Sequence, residues 1–178
     1  MMVRYGVQYM TGLRELILGS SEDHLLVPHL LLLLQGQCCA GLESLSINKY
    51  SNITTQQFFE LVIESSKLLV LYINQSICVS DAVLVELAHS CPHLQKVTLH
   101  CSSEVTEEGV LTLAVHCRQL REIYIPETKV SEETVRQLAQ HCRRLTKLIM
   151  SVYVREGETI VVRGRYYSSK DIRALRER

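Results

Sequence analysis

The sequence predicts an α/β protein, a right-handed arc of about six stacked strand-helix units with a parallel sheet on its inner face, and three observations carry that prediction. A string of the form Cys-x-x-Leu-x-x-Leu-x-Leu returns with a period close to 26 residues. About a dozen residues after its first leucine comes an apolar residue followed by Thr or Ser. Behind that pair, apolar residues fall at i, i+3, i+4 and i+7, the spacing of one helix face.

The complete strings are Cys39/Leu42/Leu45/Ile47, Cys91/Leu94/Val97/Leu99, Cys117/Leu120/Ile123/Ile125 and Cys142/Leu145/Leu148/Met150. Ser65/Leu68/Leu71/Ile73 and Leu13/Leu16/Leu18 are copies without the cysteine. Their first leucines stand at 13, 42, 68, 94, 120 and 145, spaced by 29, 26, 26, 26 and 25. Within each string the Leu-x-Leu piece has period two and reads as a short strand, centred on Leu16, Leu45, Leu71, Val97, Ile123 and Leu148. The first unit is irregular: Ser20-Ser21-Glu22-Asp23 can open a helix, but Pro28 and Gly36 break the pattern.

Helices are expected after Thr54, Ser80, Thr106 and Ser131, whose hydroxyls can accept from the free amides of a first turn. The pairs Ile53/Phe58, Val79/Leu84, Val105/Val110 and Val130/Val135 supply the hydrophobic staple. Asp81, Glu107, Glu108, Glu132 and Glu133 follow the later caps, where the helix dipole favours negative charge. The buried stripes are Leu84/Leu87/Ala88/Cys91, Val110/Leu113/Ala114/Cys117 and Val135/Leu138/Ala139/Cys142. Residues 151–165 read as strand, turn at Gly157 and strand, a hairpin insertion that covers the last sheet edge. Ser168 then caps a terminal helix over 168–178, with Asp171 as capping-box partner and Ile172 and Leu175 facing inward.

These strings resemble the cysteine-containing leucine-rich repeat of F-box/leucine-rich-repeat proteins over roughly residues 9–150. The resemblance implies a single leucine-rich-repeat solenoid domain spanning residues 1–178. It also implies a non-enzymatic protein-protein interaction module, the substrate-recognition part of an SCF-type ubiquitin ligase. About eight residues precede the first unit, too few for the F-box that would hold the SCF adaptor, so that segment is expected upstream or is absent. The alternative reading is a stand-alone scaffold or inhibitor with no ligase role.

Composition agrees with one globular domain: 178 residues, 47% hydrophobic and 21% charged, with 8 Gly and 3 Pro. Lys plus Arg and Asp plus Glu both number 19, so bulk attraction to nucleic acid or an anionic membrane is not the theme. The balance is uneven along the chain. Residues 1–140 hold 9 basic and 15 acidic side chains and residues 141–178 hold 10 and 4, a swing from −6 to +6. Cys38, Cys39, Cys78, Cys91, Cys101, Cys117 and Cys142 are odd in number, and no signal-peptide pattern opens the chain, so reduced thiols and a cytoplasmic or nuclear location are expected. The sequons at Asn52 and Asn74 then read as chance matches. The most apolar stretch, residues 25–34, contains Pro28 and His29 and is far short of the roughly 20 residues a membrane span needs.

No metal site, cofactor or catalytic group is expected. His89, His93, His116 and His141 lie near cysteines, but no Cys-x-x-Cys pair exists, and the cysteines repeat at one packing position. Phosphate-binding glycine loops, nucleophile elbows and acid pairs separated by environment are missing from the sequence. Function is therefore assigned to residues that the alternation turns outward, on the concave face: Glu15, Ile17, Gly19; Ser44, Ser46, Asn48; Val70, Tyr72, Asn74; Lys96, Thr98, His100; Glu122, Tyr124, Pro126; Lys147, Ile149, Ser151. Tyr72 and Tyr124 are the candidate anchors for a protein target, Ile149 extends the apolar strip, and Lys96, Glu122, Lys147 and His100 set specificity. The basic C-terminal end reads as solvated surface or a contact for an acidic protein segment. Nucleic acid ranks last, since no aromatics are interleaved.

Overall fold

The computed structural model describes residues 12–18, 39–48, 53–74, 79–100, 102–156 and 159–177. Its strands are β1 (Glu15–Leu18), β2 (Ser44–Ile47), β3 (Val70–Ile73), β4 (Lys96–Leu99), β5 (Glu122–Val130), β6 (Lys147–Glu156) and β7 (Thr159–Tyr167). The helices are α1 (Thr55–Ile63), α2 (Asp81–Ser90), α3 (Glu107–His116), α4 (Glu132–His141) and α5 (Ser169–Arg176). All seven strands form one sheet in chain order, parallel from β1 to β6, with β7 antiparallel to β6. The architecture is α/β with a mostly parallel sheet. Sequence-based expectations for 19–38, Asn52, Cys78, Cys101 and Gly157 lie outside the described residues.

The sequence period becomes the register. Leu16 pairs with Leu45, Leu45 with Leu71, Leu71 with Val97, Val97 with Ile123 and Ile123 with Leu148. These residues and the next apolar position of each strand are buried in one cluster with Leu84, Leu87, Val110, Leu113, Val135 and Leu138 from the helices. A single apolar core thus lies between sheet and helices, and alternate strand residues are left on the opposite face.

Every expected helix opens at its expected cap. Thr54, Thr106, Ser131 and Ser168 accept from the amides of Gln57, Glu108, Thr134 and Asp171, and Thr54 and Ser168 complete capping boxes with Gln57 and Asp171. Ser80 departs from expectation: its backbone is extended before α2, yet its side chain makes no capping bond. Its backbone is bridged instead to Glu104 of the next unit.

The first-turn acids do more than meet the helix dipole. Asp81 of α2 accepts from the Thr106 amide at 2.8 Å and the Thr106 hydroxyl at 2.6 Å. Glu107 of α3 accepts from the Ser131 amide and the Tyr153 hydroxyl. Glu132 of α4 pairs with Arg165 of β7 at 3.1 Å. Each acid therefore ties its own helix start to the following unit. Burial pushes the Glu107 carboxyl up, but hydrogen bonds from Tyr153, Ser131 and Thr134 outweigh it and hold the group below its ordinary value.

The helix C-termini are tied in the same direction. Cys91, Cys117 and Cys142 are buried C-cap residues in no disulfide. Their thiols donate to carbonyls of the preceding unit: Cys91 to Ser65 at 3.4 Å, Cys117 to Cys91 at 3.4 Å and Cys142 to Ala114 at 3.7 Å. A helix end leaves carbonyls without intrahelical donors, and a thiol is small enough to be buried against them. After α4 the donor is Arg176 of α5, with Nε 2.7 Å from the Ala139 carbonyl and Nη2 2.9 Å from that of Cys142.

One expectation near the C-terminus needs correction. The hairpin is no insertion behind a finished strand over 151–165: β6 runs unbroken from Lys147 to Glu156, and its antiparallel pairing with β7 extends from Leu148↔Tyr167 to Glu156↔Thr159. The helix behind it is α5, with Ser168 as N-cap and Glu177 as C-cap, inside the expected 168–178. β5 lengthens to match β6, with a register shift between Ile125 and Lys129 that leaves Pro126, Glu127 and Thr128 outside the ladder. Buried Thr128 uses its hydroxyl on the Ser102 carbonyl at 3.1 Å.

Candidate functional site

On the face opposite the helices, parallel register converts one outward position per strand into a continuous row. Ile17 stands beside Ser46, Ser46 beside Tyr72, Tyr72 beside Thr98, Thr98 beside Tyr124 and Tyr124 beside Ile149. With strands about 4.8 Å apart, Tyr72 and Tyr124 are separated by about 10 Å. Both are half-buried, as is Ile149. Thr98 departs from expectation: it keeps only 9% of its surface, because a tyrosine flanks it on each side.

His100, immediately past the end of β4, fills the gap between the tyrosines. Its ring centroid lies 6.0 Å from that of Tyr72, edge-on, and 5.3 Å from that of Tyr124. Tilted and edge-on arrangements suit the quadrupoles of neighbouring rings. The sequence-based assignment of His100 to the polar rim is therefore refined: it belongs to the aromatic row.

The row continues past Ile149 to a residue that strand-by-strand reading of the repeats overlooks. Tyr166 of β7 pairs with Ile149 and is 58% exposed. Directly opposed residues of an antiparallel pair share a face, so Tyr166 joins the strip. Counting pairs back from Glu156↔Thr159 reaches it, because Ile149↔Tyr166 belongs to the same register.

One pleat before the apolar row lies a charged one. Lys96 Nζ is 3.2 Å from Glu122 Oε2 and Lys147 Nζ is 3.7 Å from Glu122 Oε1, in the order of β4, β5 and β6. Three expected specificity residues therefore form one ladder, with Glu122 neutralising part of two lysines. These pairs are solvent-accessible and contribute little to stability, of the order of a few tenths of a kcal/mol each.

The buried thiols have no nucleophilic character. Burial pushes the Cys91, Cys117 and Cys142 thiols up to about 12, so thiolate is scarce near neutral pH. His89 and His116 rings lie 5.0 Å apart, and each Nδ1 contacts a carbonyl of its own helix, Val85 and Thr112. Among the described residues no group of three His, Cys, Asp or Glu side chains is placed to hold a metal ion. Nor is any helix among them long and apolar enough to cross a membrane. No family model and no curated protein matches the chain.

Proposed function

We propose that the chain is a leucine-rich-repeat solenoid of the F-box/leucine-rich-repeat type and acts as a non-enzymatic protein-recognition module in the cytoplasm or nucleus. On this reading it supplies the substrate-binding part of an SCF-type ubiquitin ligase. The observation that supports it best is the row Tyr72, Thr98, Tyr124, Ile149 and Tyr166 on the sheet face that the core does not use. Aromatic residues concentrate binding energy when a partner excludes water around them, and the Lys96–Glu122–Lys147 ladder provides a polar rim.

The test places a photo-crosslinking residue at Tyr124, and in a control at exposed Val115 of α3, in otherwise intact protein. Partners captured from Tyr124 but not from Val115 are identified, purified and titrated. Tyr72→Ala and Tyr124→Ala should each weaken binding by about 2 kcal/mol, close to thirtyfold, with melting temperature nearly unchanged. Wild-type affinity in both variants would refute the sheet face as the recognition surface. Co-purification of the cullin adaptor with the full-length protein supports the ligase assignment; a bound partner without adaptor supports a scaffold or inhibitor instead.

A further inference from the structure

We infer that the basic cleft between the start of β5, the end of α4 and α5 is a second recognition site, which takes a run of Asp and Glu carboxylates from a protein partner. The cleft has a volume of about 670 Å³ and is lined by Arg121, Arg143, Arg144, Arg173 and Arg176 together with Glu122 and Thr146. Five guanidinium groups around one opening face a single lining carboxylate, and Glu122 is already shared by Lys96 and Lys147. Arg176 is committed to backbone carbonyls of α4. Arg173 uses Nε on the Ser169 carbonyl at 3.2 Å, which leaves the rest of its fork unengaged. Among the described residues, the side chains of Arg121, Arg143 and Arg144 meet neither a carboxylate nor a hydrogen-bond acceptor, and all three are exposed.

Like charges gathered in one concavity raise its potential and attract anions. Guanidinium forks match carboxylates in pairs of parallel hydrogen bonds. The arginines come from three separate segments, one before β5, two in the turn after α4 and two on α5, so they line a path instead of converging on one dianion. That geometry favours several carboxylates in sequence over a single phosphate. No aromatic side chain lines the cleft to stack on a base, and its one apolar lining residue, Leu145, is buried, so nothing there would enter a bilayer. Glu122 at the cleft mouth is two residues before Tyr124 on β5, about 7 Å along the strand. A segment that leaves the aromatic row at Tyr124 therefore has only about that distance to cover to reach the cleft lining.

The experiment titrates the intact chain against a fluorescein-labelled Glu-rich peptide by anisotropy, with a Gln-rich peptide of equal length as control. Saturable binding of the Glu-rich peptide alone, weakened by added salt, is expected. Arg121→Gln, Arg144→Gln and Arg173→Gln should each weaken it roughly twofold to fivefold, and the triple variant by at least about eightfold, with unchanged melting temperatures. Arg118→Gln, outside the cleft, and Tyr124→Ala, in the aromatic row, should bind as wild type. Absence of saturable binding would overturn the assignment, as would wild-type affinity in the cleft variants. Tighter binding of single-stranded RNA or anionic vesicles through the same arginines would also overturn it, in favour of a nucleic-acid or membrane surface.

Discussion

The cysteines show how one side chain can serve both packing and polarity. Cys117 is fully buried, fills the small space at the end of α3 and donates to the Cys91 carbonyl of the preceding unit. Replacing it by Ala removes a sulfur-sized volume and one weak donor, so a loss of about 1–2 kcal/mol in denaturant unfolding is expected. Because burial holds its thiol near 12, Cys117 should resist iodoacetamide in the folded protein near neutral pH and react on unfolding, as read by mass spectrometry. Glu107 makes the complementary case for charge. Its folded pKa lies below the ordinary 4.5, so its contribution is present above that value and is lost as pH falls through the lower, folded value. Glu107→Gln should therefore cost about 1 kcal/mol at neutral pH, after allowance for solvent screening. The difference from wild type should vanish in melts taken at pH values well below 4.5. A difference that persisted there would show that the carboxylate charge is not what matters.

At the level of elements, α2 and α3 are each fastened to the next helix at both ends, and a glycine marks where the fastening needs room. Gly109 is buried in α3, and a Cβ there would overlap the Asp81 carboxylate and lie 3.2 Å from the Asp81 Cα. That carboxylate is the one holding the Thr106 amide and hydroxyl. Gly109→Ala should therefore destabilise by about 1–3 kcal/mol, although alanine alone would favour a helix. In Asp81→Ala the carboxylate is gone and only the tight approach to the Cα remains, so the same substitution should cost distinctly less; a double-mutant cycle of unfolding free energies checks this coupling. Caps follow the same reasoning with smaller stakes. Ser131→Ala should cost about 1 kcal/mol by thermal unfolding, and Ser80→Ala distinctly less, since Ser80 makes no capping bond.

For the whole molecule, the division between core and face decides how substitutions are read. Leu94 is fully buried, so Leu94→Ala should lose roughly 2–5 kcal/mol of stability. Tyr124 lies on the opposite face, and Tyr124→Ala should leave the melting temperature almost unaltered while weakening a partner bound there. Tyr166→Ala extends the comparison to the far end of the row: it should weaken the same partner as Tyr124→Ala if one target spans β3 to β7. Melting curves and affinities for the three variants side by side separate folding from recognition. Equal loss of stability in all three would mean that the tyrosines belong to the fold.

The strands, caps and buried stripes were legible in the sequence because each follows from local periodicity: alternation of two for strands, 3.6 for helices and about 26 for the stack. With the period held at 26 from Leu42 to Leu120, equal positions had to become neighbours across the sheet, and so Tyr72 and Tyr124 could be placed on one face from the sequence alone. Residues whose roles depend on partners in other units were not legible. Thr98 alternates like an exposed residue but is covered by side chains 26 positions away on each side. His100 reads as a lone polar residue until its ring is found between two tyrosines. Tyr166 lies outside the repeat and reaches the row only through antiparallel pairing, and Arg121, Arg143, Arg144 and Arg173 come together only where β5, the turn after α4 and α5 meet. Short-range pattern determined which segments are strands and helices, and which way each faces. Contacts between distant segments depend on how the chain packs in three dimensions, and those contacts alone decided which outward residues adjoin and which charges are left without a partner.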